Sequence, residues 1–357
     1  MSLFNFYKRF LFLLNAETTH NLAIFLLKNN LIIAAKQQNF AELHCKVAGL
    51  EFNSPIGLAA GFDKNAECIK NLSKFAFGFL EFGTVTPKAQ SGNPQPRLFR
   101  LSKEQAIINR MGFNNKGKQY FKSLFNKSAN KSDKILGINI GKNKSTESDL
   151  ADYLELLEYF YEDGDYLTIN ISSPNTPNLR DLQKKETLNN FIREISRKRD
   201  LLNETTKQEK IIFLKIAPDV SETELNDICA IALKYKIDAL IIGNTTISRP
   251  DELKAEHKEI IGGLSGKPLA ELANQKIAAA YKILRGRIPI IGVGGVSNAH
   301  DAYHKIKLGA NLIQIYSALI YQGMSLPKKI NQDLVKLLKA DGYKIISEAV
   351  GKSHEGI

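Results

Sequence analysis

The chain has 357 residues, 43% of them hydrophobic, and carries a formal net charge of +12. That length suits one large domain of ~250 residues plus an extension of about 50–100. The three cysteines (Cys45, Cys68, Cys229) form no CxxC pair, which argues against a disulfide framework or a structural zinc site and for a reducing compartment. The basic residues are scattered among acids without a stripe, so nucleic acid is not the expected partner, and anionic lipid or an anionic small molecule remains.

Residues 1–40 read as an amphipathic helical extension. Leu3, Phe6, Tyr7, Phe10 and Leu14 recur at helical spacing beside Lys8 and Arg9. Thr18 or Thr19 is the expected cap of a second helix, with Leu22, Phe25, Leu26 and Asn29 on one face. The longest apolar run stops at Lys28-Asn29-Asn30, short of the ~18 residues that span a bilayer. No small-residue cleavage site follows it. On these residues alone the extension either lies in a membrane interface or packs on the main domain.

Residues 41–340 show apolar runs alternating with helical patterns, and residues 341–357 form a tail. Strands are expected at 56–59, 79–82, 135–140, 166–171, 211–216, 239–242, 288–292 and 312–315. Helical patterns fall near 65–75, 116–126, 147–161, 186–202, 221–235, 268–285, 298–308 and 326–340. Eight of each predict an α/β fold, a closed (β/α)8 TIM-type barrel with an N-terminal helical extension. His300 and His304 stand four apart, but Asp301 occupies the place where a zinc-binding helix needs Glu, so no metal is expected.

In such a barrel the site lies at the C-terminal ends of the strands. Those ends carry Asp63-Lys64, Gly83-Thr84, Asn139, Asn170, Lys215, Asn244-Thr245, Gly294-Gly295 and Tyr316-Ser317, with Asn109 in the long loop after the second strand. The segment Asn170-Ile171-Ser172-Ser173-Pro174-Asn175-Thr176-Pro177, taken alone, reads as a proline-stiffened turn. Converging with the other Asn residues on one mouth, it reads as part of a hydrogen-bonding cage for a small polar ligand. Gly294-Gly295 and Ser317 fall where barrels hold a phosphate. Apart from Asp63 no strand end offers a carboxylate or histidine for acid–base work, so a cofactor that carries the hard chemistry is expected, and flavin mononucleotide (FMN) fits.

Ala60-Gly61-Phe62-Asp63-Lys64, Ile108-Asn109-Arg110-Met111-Gly112-Phe113-Asn114-Asn115, Gly137-Ile138-Asn139-Ile140-Gly141-Lys142-Asn143-Lys144, Asn170 to Pro177, Gly262-Gly263-Leu264-Ser265-Gly266 and Ile290-Ile291-Gly292-Val293-Gly294-Gly295 together resemble the quinone-dependent (class 2) dihydroorotate dehydrogenases. The resemblance runs from the extension to about residue 325. It implies oxidation of (S)-dihydroorotate to orotate in pyrimidine (UMP) biosynthesis, with FMN as cofactor and a membrane quinone as electron acceptor. By residue-to-residue carry-over it makes Ser173 the catalytic base for the C5 proton, while hydride passes from C6 to the flavin. Lys64, Asn109, Arg110, Met111, Gly112, Phe113, Asn170, Asn175, Asn244 and Thr245 would hold substrate. Ala60, Gly61, Phe62, Asp63, Lys64, Thr84, Asn139, Asn170, Lys215, Gly243, Gly266, Gly295, Tyr316 and Ser317 would hold FMN. His20 and Arg100 match polar residues near the quinone. Gly243 departs from the relatives, which often have Thr there.

The soluble class 1 enzymes use Cys as the base, and this loop has none. The resemblance further implies a monomer held peripherally on the cytoplasmic side of the cell membrane, in contact with its inner leaflet through the extension. Two alternatives are weighed against it: a class 1-like enzyme passing electrons to fumarate or NAD, and a phosphate-binding lyase or isomerase.

Overall fold

The computed structural model describes residues 3–34 and 37–354, the side chains of residues 3–6 excepted. Among them eight parallel strands pair in chain order and close into a barrel: β1 (Ile56–Leu58), β2 (Phe79–Val85), β3 (Ile135–Ile140), β4 (Tyr166–Asn170), β5 (Ile211–Ile216), β6 (Ala239–Ile242), β7 (Ile290–Val293) and β8 (Leu312–Ile315). The closing ladder sets Ile313 beside Ile56. Every residue of β2, β4, β6, β7 and β8 is buried. That is why these strands are continuous apolar runs without alternation: helices cover the outside and side chains fill the inside.

In chain order the helices are α1 (Leu3–Leu11), α2 (Ala16–Lys28), α3 (Ile69–Leu72), α4 (Gly117–Ala129), α5 (Asp149–Tyr159), α6 (Lys185–Thr206), α7 (Glu222–Lys234), α8 (Ala255–Lys258), α9 (Ala270–Leu284), α10 (Ala299–Lys307), α11 (Ser317–Gln322) and α12 (Leu326–Ala340). Ser148, Ser221 and Asn298 start α5, α7 and α10, accepting from the backbone N–H of Ala151, Glu224 and Asp301 at 3.3, 3.2 and 3.0 Å. Each such cap contributes ~1 kcal/mol. The helix expected over 65–75 shrinks to the single turn α3. The buried Asp63 carboxylate is the reason: it accepts from the N–H groups of Asn65, Glu67 and Cys68 (3.2, 3.0 and 2.7 Å) and winds that stretch into a turn.

A hairpin of Cys45–Val47 and Leu50–Phe52 lies at the N-terminal end of the barrel, where Phe52 meets the Phe79 ring edge-on at 5.4 Å. The tail after α12 packs back on the barrel. Ile346 and Ala349 are buried, and His354 stacks on Tyr281 at 5.1 Å; residues 355–357 lie outside the described residues.

Two features of the extension differ from expectation. The cap of α2 is Asn15, whose Oδ1 accepts from Thr18 N at 2.8 Å, while the Thr19 hydroxyl turns back onto the carbonyl of Leu11 at 2.9 Å. The inward face is His20, Ile24 and Leu27, and Phe25 is exposed. Apolar residues ring α2, so periodicity alone did not identify the face that meets the barrel. The stripe read on the first helix begins at Leu3 and Phe6, whose side chains lie outside the described residues; Tyr7, Phe10 and Leu14 are exposed.

Both ends of α2 are tied down. Glu17 forms an ion pair with Arg97 at 2.7 Å, both side chains largely buried, and Lys28 pairs with Glu67 at 3.1 Å. Among the described residues no helix is long and apolar enough to cross a membrane.

Candidate active site

The C-terminal strand ends open into a cavity of about 1430 Å³, its open mouth included. A three-stranded antiparallel sheet of Leu98–Leu101, Ala106–Asn109 and Gly263–Gly266 roofs one side, with Gly263 opposite Asn109. His20 of α2 contributes to the wall from the extension.

The loop after β4 sorts its two serines. Ser172 is fully buried, donates to Asn170 Oδ1 at 2.6 Å and accepts from Asn244 Nδ2 at 2.7 Å. Its hydroxyl is consumed by the scaffold. Ser173 faces the cavity, and its Oγ accepts only the backbone N–H of Asn175 at 3.2 Å. Its proton is therefore uncommitted among the described residues. Asn170 is also spent internally, donating to Thr84 Oγ1 and Asn139 Oδ1, each at 3.0 Å. Asn175 Nδ2 reaches Asn109 Oδ1 at 3.3 Å, and both line the cavity with Asn244 and Thr245. The Thr245 hydroxyl is buried without a partner. Met111, Gly112 and Phe113 complete this side of the wall.

Two lysines supply positive charge. Burial pushes the Lys64 ammonium down to about 8, and burial lowers that of Lys215 against the opposing pull of Glu81. Neither has a hydrogen-bond acceptor among the described residues, and both line the cavity. Burial, with Lys64 as a second cause, holds His20 down at about 3, a neutral imidazole at working pH.

The wall also takes in Ala60, Gly61, Gly266, Gly294, Gly295, Tyr316 and Ser317. Gly295 has φ +71°, and a Cβ there would stand 2.4 Å from Ala270 Cα, so the close approach of this turn to α9 requires glycine. Tyr316 OH donates to the carbonyl of Gly61 at 3.3 Å, joining the ends of β8 and β1.

Several expected contact residues stand outside this wall, each for a visible reason. Arg110 turns away, its guanidinium on the Pro96 carbonyl at 2.8 Å and over the Phe99 ring. Asp63 is consumed by its three backbone N–H groups. Phe62 is wedged between the His20 and Tyr316 rings at 5.7 and 5.8 Å. Asn139 lies beneath the wall, accepting from Thr84 Oγ1 at 2.6 Å and donating to the buried Glu81 at 2.7 Å. Gly243 adopts φ +118°, and a Cβ there would meet the Val293 carbonyl at 2.4 Å, so this backbone leaves no room for Thr. Arg100 ties the roof to the extension, donating to the Leu14 carbonyl at 2.9 Å with its guanidinium 4.1 Å above the Phe12 ring.

Residues to which the sequence reading gave no role also line the cavity, among them Gln105, Ser265, Gln314 and Tyr321. Ser265 pairs with Ser317 at 2.8 Å across roof and barrel. Gln314 donates to Glu81 at 2.8 Å and leaves its Oε1 buried and unpaired. Gln314 sits inside a strand that reads as apolar, and a polar residue at such a position is the signal that could have found it.

A family model described as dihydroorotate dehydrogenase matches residues 42–338. The "Dihydroorotate dehydrogenase (quinone)" of Azorhizobium caulinodans is 42% identical over 353 residues, 98% of this chain and 99% of that one. The protein of the same name from Rhodospirillum rubrum is 45% identical over 342 residues, 96% and 92% of the two chains. Among solved structures, that of Eimeria tenella DHODH in complex with ferulenol superposes with a TM-score of 0.92 at 37% identity, covering 96% of each chain.

Proposed function

Since this chain belongs to the dihydroorotate dehydrogenase family, we propose that it oxidises (S)-dihydroorotate to orotate in pyrimidine biosynthesis and passes the electrons to a quinone. The observation that carries this reading is the division of labour between the two serines. Ser172 is bonded into the scaffold, and Ser173 presents its hydroxyl to a cavity that also holds two unpaired ammonium groups.

The residues present fit FMN. Lys215, buried and without a protein acceptor, suits an electron-rich ring. The glycines after β7 and in the roof, with Ser265 and Ser317, form a small, hydroxyl-bearing corner suited to a phosphate. When bound, FMN supplies the acceptor for the C6 hydride and relays the two electrons onward.

The protein's own part is binding and proton transfer. Lys64 attracts the carboxylate of dihydroorotate, and Asn109, Asn175, Asn244 and Thr245 offer amide and hydroxyl groups to the pyrimidine edges. Ser173 takes the C5 proton. A serine is a weak base, so geometry must assist it and the proton must leave through a hydroxyl or water chain.

For the extension, the exposed Tyr7, Phe10, Leu13, Phe25, Leu31 and Ile33 support peripheral seating on the cytoplasmic face of the cell membrane. His20 in the cavity wall and Arg100 beneath the extension would then flank the quinone path.

The test is dihydroorotate oxidation by purified protein with a soluble quinone, fumarate and NAD as alternative acceptors. Bleaching of a bound flavin by dihydroorotate and turnover with quinone are expected. Turnover with NAD or fumarate but not quinone would overturn the acceptor, and a colourless protein that binds no FMN would overturn the chemistry. Deleting residues 1–14, which leaves the Glu17–Arg97 pair and the His20 wall in place, should impair quinone reduction more than flavin reduction by substrate.

A further inference from the structure

Just beyond the serine loop, Asn178 takes a left-handed conformation (φ +57°) and the chain enters a short 3-10 turn, Leu179–Gln183. Two side chains of this turn reach across the barrel mouth. Gln183 Oε1 accepts from Ala217 N at 2.9 Å, binding the turn to the loop after β5. Arg180 does more. Its Nε donates to the Ser172 carbonyl at 3.0 Å, its Nη2 to the Thr245 carbonyl at 2.9 Å, and its Nη1 to Asp219 Oδ2 at 2.7 Å.

One planar cation therefore joins the loops after β4, β5 and β6. The carbonyl it grips on Ser172 belongs to the peptide group whose nitrogen is that of Ser173. Holding that peptide plane restricts the direction in which the Ser173 side chain leaves the backbone. The second carbonyl belongs to Thr245, whose neighbour Asn244 bonds the Ser172 hydroxyl. Asp219 in turn accepts from the Thr246 hydroxyl and from Ile247 N (3.4 Å), so the acceptor of the guanidinium is itself anchored in the β6 loop. A fork of fixed donors suits this task, whereas an ammonium acts as a point charge.

Resting on the reading of Ser173 as the base, we propose that Arg180, oriented by Asp219, is a positioning residue for proton abstraction. It sets the Ser172–Ser173 peptide and the Asn244–Thr245 segment at the spacing the reaction needs. Arg180 does not line the cavity and touches no reacting group, so its effect falls on the rate of the chemical step. A reacting hydroxyl displaced by about 1 Å loses roughly 10²-fold in rate.

The experiment uses the FMN-loaded full chain and follows flavin reduction by dihydroorotate under anaerobic conditions. Arg180→Lys keeps the charge beside Asp219 but not the fork. Its limiting rate should fall about 10²-fold, far more than its orotate affinity, while flavin content changes little. In Arg180→Gly, millimolar guanidinium should restore part of the rate saturably where urea does not, and adding Asp219→Ala should abolish that rescue. A purely structural role would not produce rescue of the rate at unchanged melting temperature. An Arg180→Lys protein within about threefold of the parent rate overturns the proposal, as does rescue that survives loss of Asp219. Ser173→Ala run alongside separates the levels: if it stays active, the reading of the base falls and takes the proposal with it, whereas an inactive Ser173→Ala beside a normal Arg180→Lys defeats the positioning role alone.

Discussion

The two ends of β5 each carry a buried lysine, and the protein treats them differently. At the foot, Lys210 donates to the carbonyls of Asp163 and Gly164 at 3.0 and 2.7 Å. Five residues on, at the open end, Lys215 is as deeply buried and has no protein acceptor among the described residues. Burial lowers both ammonium pKa values, that of Lys210 to about 8. At the closed face the fold completes its own hydrogen bonds, and at the open face it holds a costly cation ready for a ligand. A barrel of this kind separates stability from chemistry along the length of each strand.

The sharpest way to test that separation is Ser173→Ala at the open face. Flavin reduction by dihydroorotate should slow by roughly 10²–10⁴-fold, the usual worth of a positioned base, with FMN still bound. Stopped-flow bleaching reads this directly, and near-normal bleaching would remove Ser173 from the mechanism. Next in size, Lys215→Met should weaken FMN by about 10–100-fold, the range for a charge-assisted hydrogen bond. Fluorescence titration measures it, and the apoprotein should melt no lower than the parent. If instead the apoprotein is destabilised and FMN affinity holds, Lys215 belongs with Lys210.

A third test is pH. Lys64 in the free protein loses its proton near pH 8. Orotate affinity should therefore be flat below that value and fall by up to about tenfold per unit above it, a slope that Lys64→Met removes. The smallest effect belongs to the foot. Lys210→Gln should cost about 1 kcal/mol of stability and leave flavin reduction unchanged. Lys210 titrates near 8 when folded and 10.5 when unfolded, so in that window the unfolded chain holds more protons. Its linked stability is fully present above 10.5 and is lost as pH falls to about 8. Denaturant midpoints of parent and variant should diverge in the parent's favour as pH rises through that window.

The eight strands were legible because burial on both faces leaves an uninterrupted apolar run, and the polar strand ends were legible by counting. The roof was not. Its central ladder joins Ala106–Asn109 to Gly263–Gly266 across more than half the domain, and antiparallel pairing at that separation leaves no local signal. Nor could residue type separate wall from support: Asn139 and Asn175 both stand near strand ends, yet Asn139 spends itself on Thr84 and Glu81 below the cavity. Arg180, three residues past the second proline of the serine loop, reads as an ordinary loop cation until three acceptors are seen around it.

The ties at the two ends of α2 bear on how this protein can be shortened. Arg97 is 9% exposed, and its carboxylate partner is Glu17. A chain trimmed at residue 40 would remove that carboxylate together with the helix that covers the pair, leaving Arg97 its bonds to the Ser91 and Asn93 carbonyls. Cutting between α1 and α2 sheds the exposed Tyr7 and Phe10 while leaving the pair, the Lys28–Glu67 bridge and the His20 wall in place. In folding terms α2 is the barrel's own lintel, and a cut near Leu14 gives up the Arg100 contacts to Leu14 and Phe12 and the Lys8 bond to the Tyr321 carbonyl.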